Sequence, residues 1–284
     1  MQRIQNSWEL VKASASVLRA DKELIVFPIL SSIGVLLVSL TFALPMFFAG
    51  FFDSLISGRA GDIRLLSLGI AFLFYFSQYL VIVFSNTALV GAAMIRLDGG
   101  DPTLGDGFRI AASRLHVILG YALVASTVGM LLRALSERSG SLGRLAVSLV
   151  GLAWNLATFL VVPVLVVEDL GPFAAIKRSV GLLKRTWGEQ IVGNLSIGLI
   201  FGLAGLLAAV VILGPGIYLA ATFNAPALMI PVVGVVVLIF IGLSLVSSAM
   251  NGIYSAAVYR YATTGDAGHF FHPDLVQGAF RMRS

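Results

Sequence analysis

Cysteine is absent from this chain. That excludes disulfides, thiolate nucleophiles and cysteine-ligated metals, and it leaves the redox compartment unmarked. Charge is scarce, at 12% of residues, and over one long stretch it is missing: from Gln190 to Tyr259 there is no charged side chain and no histidine. A soluble domain of this size does not carry such a run. A bilayer core about 30 Å thick takes about 20 apolar residues per helical crossing, so the stretch predicts two spans joined outside the hydrocarbon. The same blankness argues against a pump, a proton relay or an ion-coupled carrier, which keep ionisable groups inside the membrane.

Catalytic signatures are missing as well. The chain has no Gly-Lys-Ser/Thr phosphate loop, no His-Glu-x-x-His and no Gly-x-Ser-x-Gly elbow. Its Gly105-Asp106-Gly107 falls in a connection rather than a span. Asp266, His269 and His272 are evenly spaced, but beside Gly268 and Pro273 they offer three side chains without a fixed scaffold or a fourth strong ligand, so no metal is expected. The reading is a protein without enzymatic activity and without a cofactor.

What is present is apolar: 58% of residues are hydrophobic and the mean hydropathy is +0.96. That composition belongs to an integral membrane protein. The first apolar block begins at Leu24, after Asp21-Lys22-Glu23, and is too long for the core of a cleavable signal, so it is expected to remain as a span. Apolar blocks predict six crossings at about 24–48, 66–95, 116–132, 145–167, 191–213 and 232–259. Blocks two and six exceed one untilted span and predict tilt or helices that extend past the membrane.

Lys and Arg sort these connections into two sides. Arg3, Lys12, Arg19, Lys22, Arg96, Arg109, Arg114, Lys177, Arg178, Lys184, Arg185, Arg260, Arg281 and Arg283 fall on one side, against Arg59, Arg64, Arg133, Arg138 and Arg144 on the other. The positive-inside rule then predicts cytoplasmic N- and C-termini and an inner, plasma-membrane location. The excess of +5, with a sequence pI near 9.7, points to anionic lipid rather than nucleic acid as the counter-charge.

Ser14-Ala-Ser-Val-Leu-Arg-Ala-Asp-Lys-Glu-Leu-Ile-Val matches Ser179-Val-Gly-Leu-Leu-Lys-Arg-Thr-Trp-Gly-Glu-Gln-Ile-Val with one insertion, and Ala92-Ala-Met-Ile-Arg rhymes with Ala256-Ala-Val-Tyr-Arg. These pairs predict one integral domain, 1–284, made of repeat-like units at about 1–95, 96–167 and 168–260 with a cytoplasmic tail at 261–284. The fold expected is all-α and polytopic: six transmembrane helices as three hairpins, each preceded by a cytoplasmic amphipathic helix.

The apolar stripes of those helices are Ile4, Trp8, Val11, Ala15 and Leu18; Leu104, Phe108, Ala111 and Leu115, following Asp101-Pro102 as a helix start; and Phe173, Ile176, Val180, Leu183 and Trp187. The third helix carries Lys177, Arg178, Lys184 and Arg185 on its other face, with Pro172 in its first turn, and is the candidate surface for anionic lipid, a membrane-protein partner or a second copy of the chain. Simple anchoring of the hairpins is the alternative.

Within the spans, Gly198 and Gly202, and Ser244, Ser248, Gly252 and Ala256, recur every four residues and predict close helix packing. Asn86, Asn155 and Asn251 lie at roughly similar depth and form a candidate buried polar cluster. Such a cluster suits a lipid headgroup or a neutral solute; hydrogen bonding between helices without any ligand is the alternative.

The segments Ser7-Trp-Glu-Leu-Val-Lys, Leu18-Arg-Ala-Asp-Lys-Glu-Leu, Arg96-Leu-Asp-Gly-Gly-Asp-Pro-Thr, Val167-Glu-Asp-Leu-Gly-Pro and Arg260-Tyr-Ala-Thr-Thr-Gly resemble an uncharacterised family of bacterial integral membrane proteins over nearly the whole chain. More distantly, the plan of amphipathic helix plus hairpin is similar to the membrane domain of some bacterial glycerophosphodiester phosphodiesterases, without the hydrolase. The first resemblance carries no activity or site residue. The second implies a link to lipid metabolism. Two functions stay open: a non-enzymatic membrane component that binds lipid or a partner through its interfacial helices, or a facilitative transporter or channel for a neutral or lipid-like solute.

Overall fold

The computed structural model describes residues 2–48, 64–185, 189–266 and 268. Ten helices run through them: α1 (Gln2–Ala20), α2 (Val26–Phe48), α3 (Arg64–Leu97), α4 (Leu104–Ser113), α5 (Leu115–Arg138), α6 (Ser141–Thr158), α7 (Val161–Val167), α8 (Pro172–Arg185), α9 (Glu189–Thr222) and α10 (Met229–Thr264). Among the described residues there is no strand. The protein is all-α and polytopic, and among the described residues six stretches are long and apolar enough to cross a membrane: Lys22–Phe48, Leu68–Leu97, Leu115–Arg138, Ser141–Val167, Ile200–Thr222 and Pro226–Thr264.

The three longest helices, α3 and α9 with 34 residues each and α10 with 36, measure about 50 Å at 1.5 Å per residue and overrun the bilayer core. Span three reaches Arg138 rather than stopping near 132, because only Ser139 and Gly140 separate α5 from α6. Arg133 therefore sits on a helix, paired to Glu137 at 2.8 Å and to the Tyr75 hydroxyl.

The core lies at the end of the bundle that carries α1, α4 and α8. Leu24, Phe27, Ala88, Leu89, Ile118, Leu160, Leu165, Ile253 and Tyr254 are all buried there. Toward the opposite end Leu36, Phe47, Leu131, Leu149, Val210 and Leu238 are exposed, as lipid-facing side chains are. The second spans of the three hairpins, α3, α6–α7 and α10, supply the inner triad, with α3 touching both α7 and α10. Each short helix docks on a second span from the hairpin before it in cyclic order: α4 on α3, α8 on α6 and α7, and α1 on α10.

Small residues permit that docking. A Cβ on Gly107 of α4 would come within 2.7 Å of the Ala88 carbonyl oxygen and 2.5 Å of the Phe27 ring, and one on Gly91 within 2.9 Å of Ile110. The start of α4 is Thr103 rather than Asp101-Pro102: its hydroxyl accepts from the Asp106 N–H at 3.2 Å while Asp106 accepts from the Thr103 N–H at 3.0 Å, a reciprocal capping box. The Thr103 hydroxyl also donates to the Asp106 carboxylate, which holds that group below the usual range.

The predicted apolar stripe holds on α4, where Ala111 is buried and Leu104 and Phe108 pack against the core, but it is shifted on α8 and α1. On α8 the buried residues are Ala175, Ser179, Leu182 and Leu183, whereas Phe173 is 74% exposed. On α1 the buried face is Val11, Ala13, Ser14 and Val17, with Ala15 and Leu18 half-buried, and Leu115, expected at the end of the second stripe, opens α5 and is exposed. The side chains of Ile4, Trp8 and Trp187 fall outside the described residues. The reason is that these helices bury their faces against neighbouring spans, and the closest approach selects the smallest side chains, not the most hydrophobic ones.

Span four is broken. α6 ends at Thr158 and α7 begins at Val161. The hydroxyl of Ser179, on α8, accepts from the Leu160 N–H at 3.1 Å and donates to the Ala157 carbonyl at 2.7 Å. It thereby satisfies backbone groups that a break in hydrocarbon would otherwise leave without partners.

Candidate intramembrane cleft

On α10, Ser244, Ser247, Ser248, Asn251 and Ser255 follow the spacing of one helical face. That face borders a cavity of about 540 Å³, walled by Asn86 and Val90 of α3, Phe159 and Val162 beside the break in span four, and Gly198, Phe201 and Gly202 of α9. A second cleft of about 550 Å³ lies between α2, α3 and α10. Ser31, Ser32 and Ser39 line it, and Asn86, Ser244 and Ser248 are common to both.

Depth follows from the helix rise. Asn251 is nine residues from Arg260 and Asn86 ten from Arg96, or about 13 and 15 Å below the charged end of the bundle. Among the described residues none that lines either cleft is titratable. The carboxamide oxygen of Asn251 is buried and has no hydrogen-bond partner, a condition that costs a folded protein about 1–3 kcal/mol. Gln78 bridges the wall of the second cleft, its amide donating to the Ser39 hydroxyl at 2.8 Å and to the Val35 carbonyl at 3.3 Å. Phe159 packs against Tyr254 with ring centroids 6.2 Å apart.

The other expected members of the site are placed differently. Asn155 is exposed on α6 and lines neither cleft, so two of the three amides meet and the third does not. Gly198 and Gly202 are not packing contacts: a Cβ on either would meet nothing within 4 Å, because both face the cavity. The close approaches of α9 to α10 are at Gly205, 3.0 Å from Phe240, and at Gly216, 2.6 Å from Val232. Gly252 is a packing residue, with its would-be Cβ 2.4 Å from Leu89, and Ser248 is exposed on the rim of both clefts.

The basic cluster of α8 is divided. Arg178 is committed to Glu168, with its Nε 2.8 and 3.0 Å from the two carboxylate oxygens, and Glu168 also accepts from the Tyr259 hydroxyl at 2.9 Å. Lys177 and Lys184 are exposed, and the Arg185 side chain is outside the described residues. His269 and His272 are likewise outside them.

Similar ion pairs join the span ends on this face. Arg96 binds Asp101 at 3.1 Å and the Ala20 carbonyl at 3.3 Å, Arg260 binds Asp98 and Asp266, and Arg114 binds Asp169 at 2.9 Å. Asp21, 6% exposed, has its carboxyl pushed above the usual range by burial.

The sequence pattern put Ser244 and Ser248 of α10 in a packing stripe and did not point to Ser247, Ser255, Ser31, Ser32, Ser39 or Phe159. Five polar residues on one face of α10 were the available signal. The model of a family of unknown function, DUF6159, matches residues 65–270 of the chain. No curated protein matches it.

Proposed function

We propose that this chain, which belongs to the family of unknown function DUF6159, is a non-enzymatic membrane component that binds a lipid in the cleft between α3, α7, α9 and α10. The observation that carries this reading is the cavity of about 540 Å³ in which Asn86, Asn251 and the serines of α10 converge at membrane depth. Its volume is within the range of small-molecule sites, and it is open rather than enclosed, which gives a lipid a way in. A tightly packed bundle would have no need of neutral polar groups around an open space. The exposed Lys177 and Lys184 add a place for anionic headgroups at the surface.

Fourteen Lys and Arg on the side of the termini, against five on the other, support a bacterial inner-membrane protein with cytoplasmic ends. A second reading, facilitative passage of a neutral or lipid-like solute, rests on the break in span four, which sets Phe159 on the cavity wall beside a joint in the backbone.

The test is to fill the cavity. Gly202→Phe projects a ring into open space on the cleft wall, and Gly234→Phe does the same on an exposed stretch of α10 away from the clefts. Native mass spectrometry after purification in mild detergent should find lipid on the wild type and on Gly234→Phe, and none on Gly202→Phe. Lipid retained equally by all three would overturn the reading.

A further inference from the structure

We infer that the lipid held in this cleft is uncharged and carries a free hydroxyl, as a diacylglycerol does; the inference rests on the lipid-binding reading above and names its ligand class. The electrostatics exclude a phosphodiester. Among the described residues none that lines either cleft is titratable, and Arg96, Arg260 and Arg178, at the nearby span ends, already pair with Asp101, Asp98 and Glu168. A phosphate drawn down to Asn251 would give up water without gaining a cation, and an unpaired charge in a low-dielectric site is strongly disfavoured.

Depth makes the same selection. The two amides lie about 13–15 Å below the charged end, far under the level at which a phosphate finds water and counter-ions. An uncharged headgroup can sink to that level at little expense, because its few polar atoms are all met by neutral partners.

The hydrogen-bonding inventory identifies the headgroup. The buried carboxamide oxygen of Asn251 lacks a donor. Asn251 lines the cleft, and with its amide turned toward that space a hydroxyl, which both donates and accepts, meets it in either orientation. The Asn86 amide and the hydroxyls of Ser244 and Ser248, common to both clefts, are donors for ester carbonyls. Beyond this polar centre the walls turn apolar, through Val162 and Phe201 on one flank and Val35 and Leu36 on the other. The two flanks give each of two acyl chains its own way out to the bilayer.

The test uses delipidated full-length protein in detergent and a diacylglycerol with a photoreactive diazirine in one chain. Dioleoylglycerol should displace the label at concentrations at least about tenfold below those of dioleoylphosphatidylglycerol and dioleoylphosphatidylcholine. Methylation of its free hydroxyl should weaken displacement by roughly two- to tenfold, the range of one net hydrogen bond. Asn251→Ala should erase the difference between the alcohol and its methyl ether.

Phospholipids that compete as well as dioleoylglycerol, or a methyl ether as effective as the alcohol on the wild type, would overturn the inference. If Gly202→Phe still abolishes labelling in that case, lipid binding stands and only the ligand class fails. Labelling unchanged in Gly202→Phe would remove both.

Discussion

Replacing Gly252 by alanine adds a single methyl group at the tightest contact of the inner triad. That Cβ would lie 2.4 Å from Leu89 Cδ2 and 3.0 Å from its Cγ, whereas carbon atoms rest at about 3.5–4.0 Å. Leu89 must retreat by about 1 Å, yet it is fully buried between α3 and α10. Overpacking of this kind costs about 1–3 kcal/mol, and alanine's better helix propensity returns up to about 1 kcal/mol, so a net loss of about 1–2 kcal/mol is expected. Leu89→Ala alone should cost about 2–5 kcal/mol by opening a cavity. The double variant places the new methyl in that cavity, so its loss should fall short of the sum by about 1–3 kcal/mol. Reversible unfolding in mixed detergent micelles measures all three, with Gly202→Ala, whose Cβ meets nothing within 4 Å, as the silent control. A Gly252→Ala protein as stable as the wild type, or strict additivity in the cycle, would refute the close approach of α3 and α10.

Ser179→Ala should destabilise by about 1–3 kcal/mol in the same assay, since it leaves the Leu160 N–H and the Ala157 carbonyl without their partner; no change would mean that the break in span four does not depend on α8. Asp21 gives a pH signature. Its folded pKa is raised, so its stabilising contribution is complete below the ordinary value of about 4 and is lost as pH rises through the higher folded value. Asp21→Asn keeps an acceptor for the Glu23 N–H, now 3.2 Å from the carboxylate, and should remove this component of the gain in thermal stability on mild acidification. Parallel pH curves for the two proteins would count against a destabilising buried carboxylate.

The spans were legible because hydropathy reports the bilayer directly: the first was expected at about 24–48 and falls at Lys22–Phe48. The break in span four was not, because nothing at Phe159-Leu160 interrupts a helix; a serine nineteen residues on, at 179, makes the break tolerable. Glycines spaced by four read alike whether they meet a neighbouring helix, as Gly252 does, or face open space, as Gly198 and Gly202 do. Depth along a helix placed Asn86 and Asn251 correctly at one level, but which way an amide faces depends on helix rotation. That rotation is set by tertiary packing, and it turns Asn155 outward. The amphipathic stripe held on α4 and shifted on α8 for a related reason: periodicity finds the largest apolar residues, while docking against a span chose Ala175 and Ser179 over Phe173.

The central claim is that a lipid occupies the space between Asn86 and Asn251, and a cryo-electron microscopy map of the protein in nanodiscs of its native lipids tests it most directly. The account predicts elongated density in the cleft, with its polar end against the Asn251 amide and its chains leaving past Phe201 and Val35. A cleft closed by α9 packing onto α3, with Asn251 hydrogen-bonded to a neighbouring helix and no density between them, would contradict it.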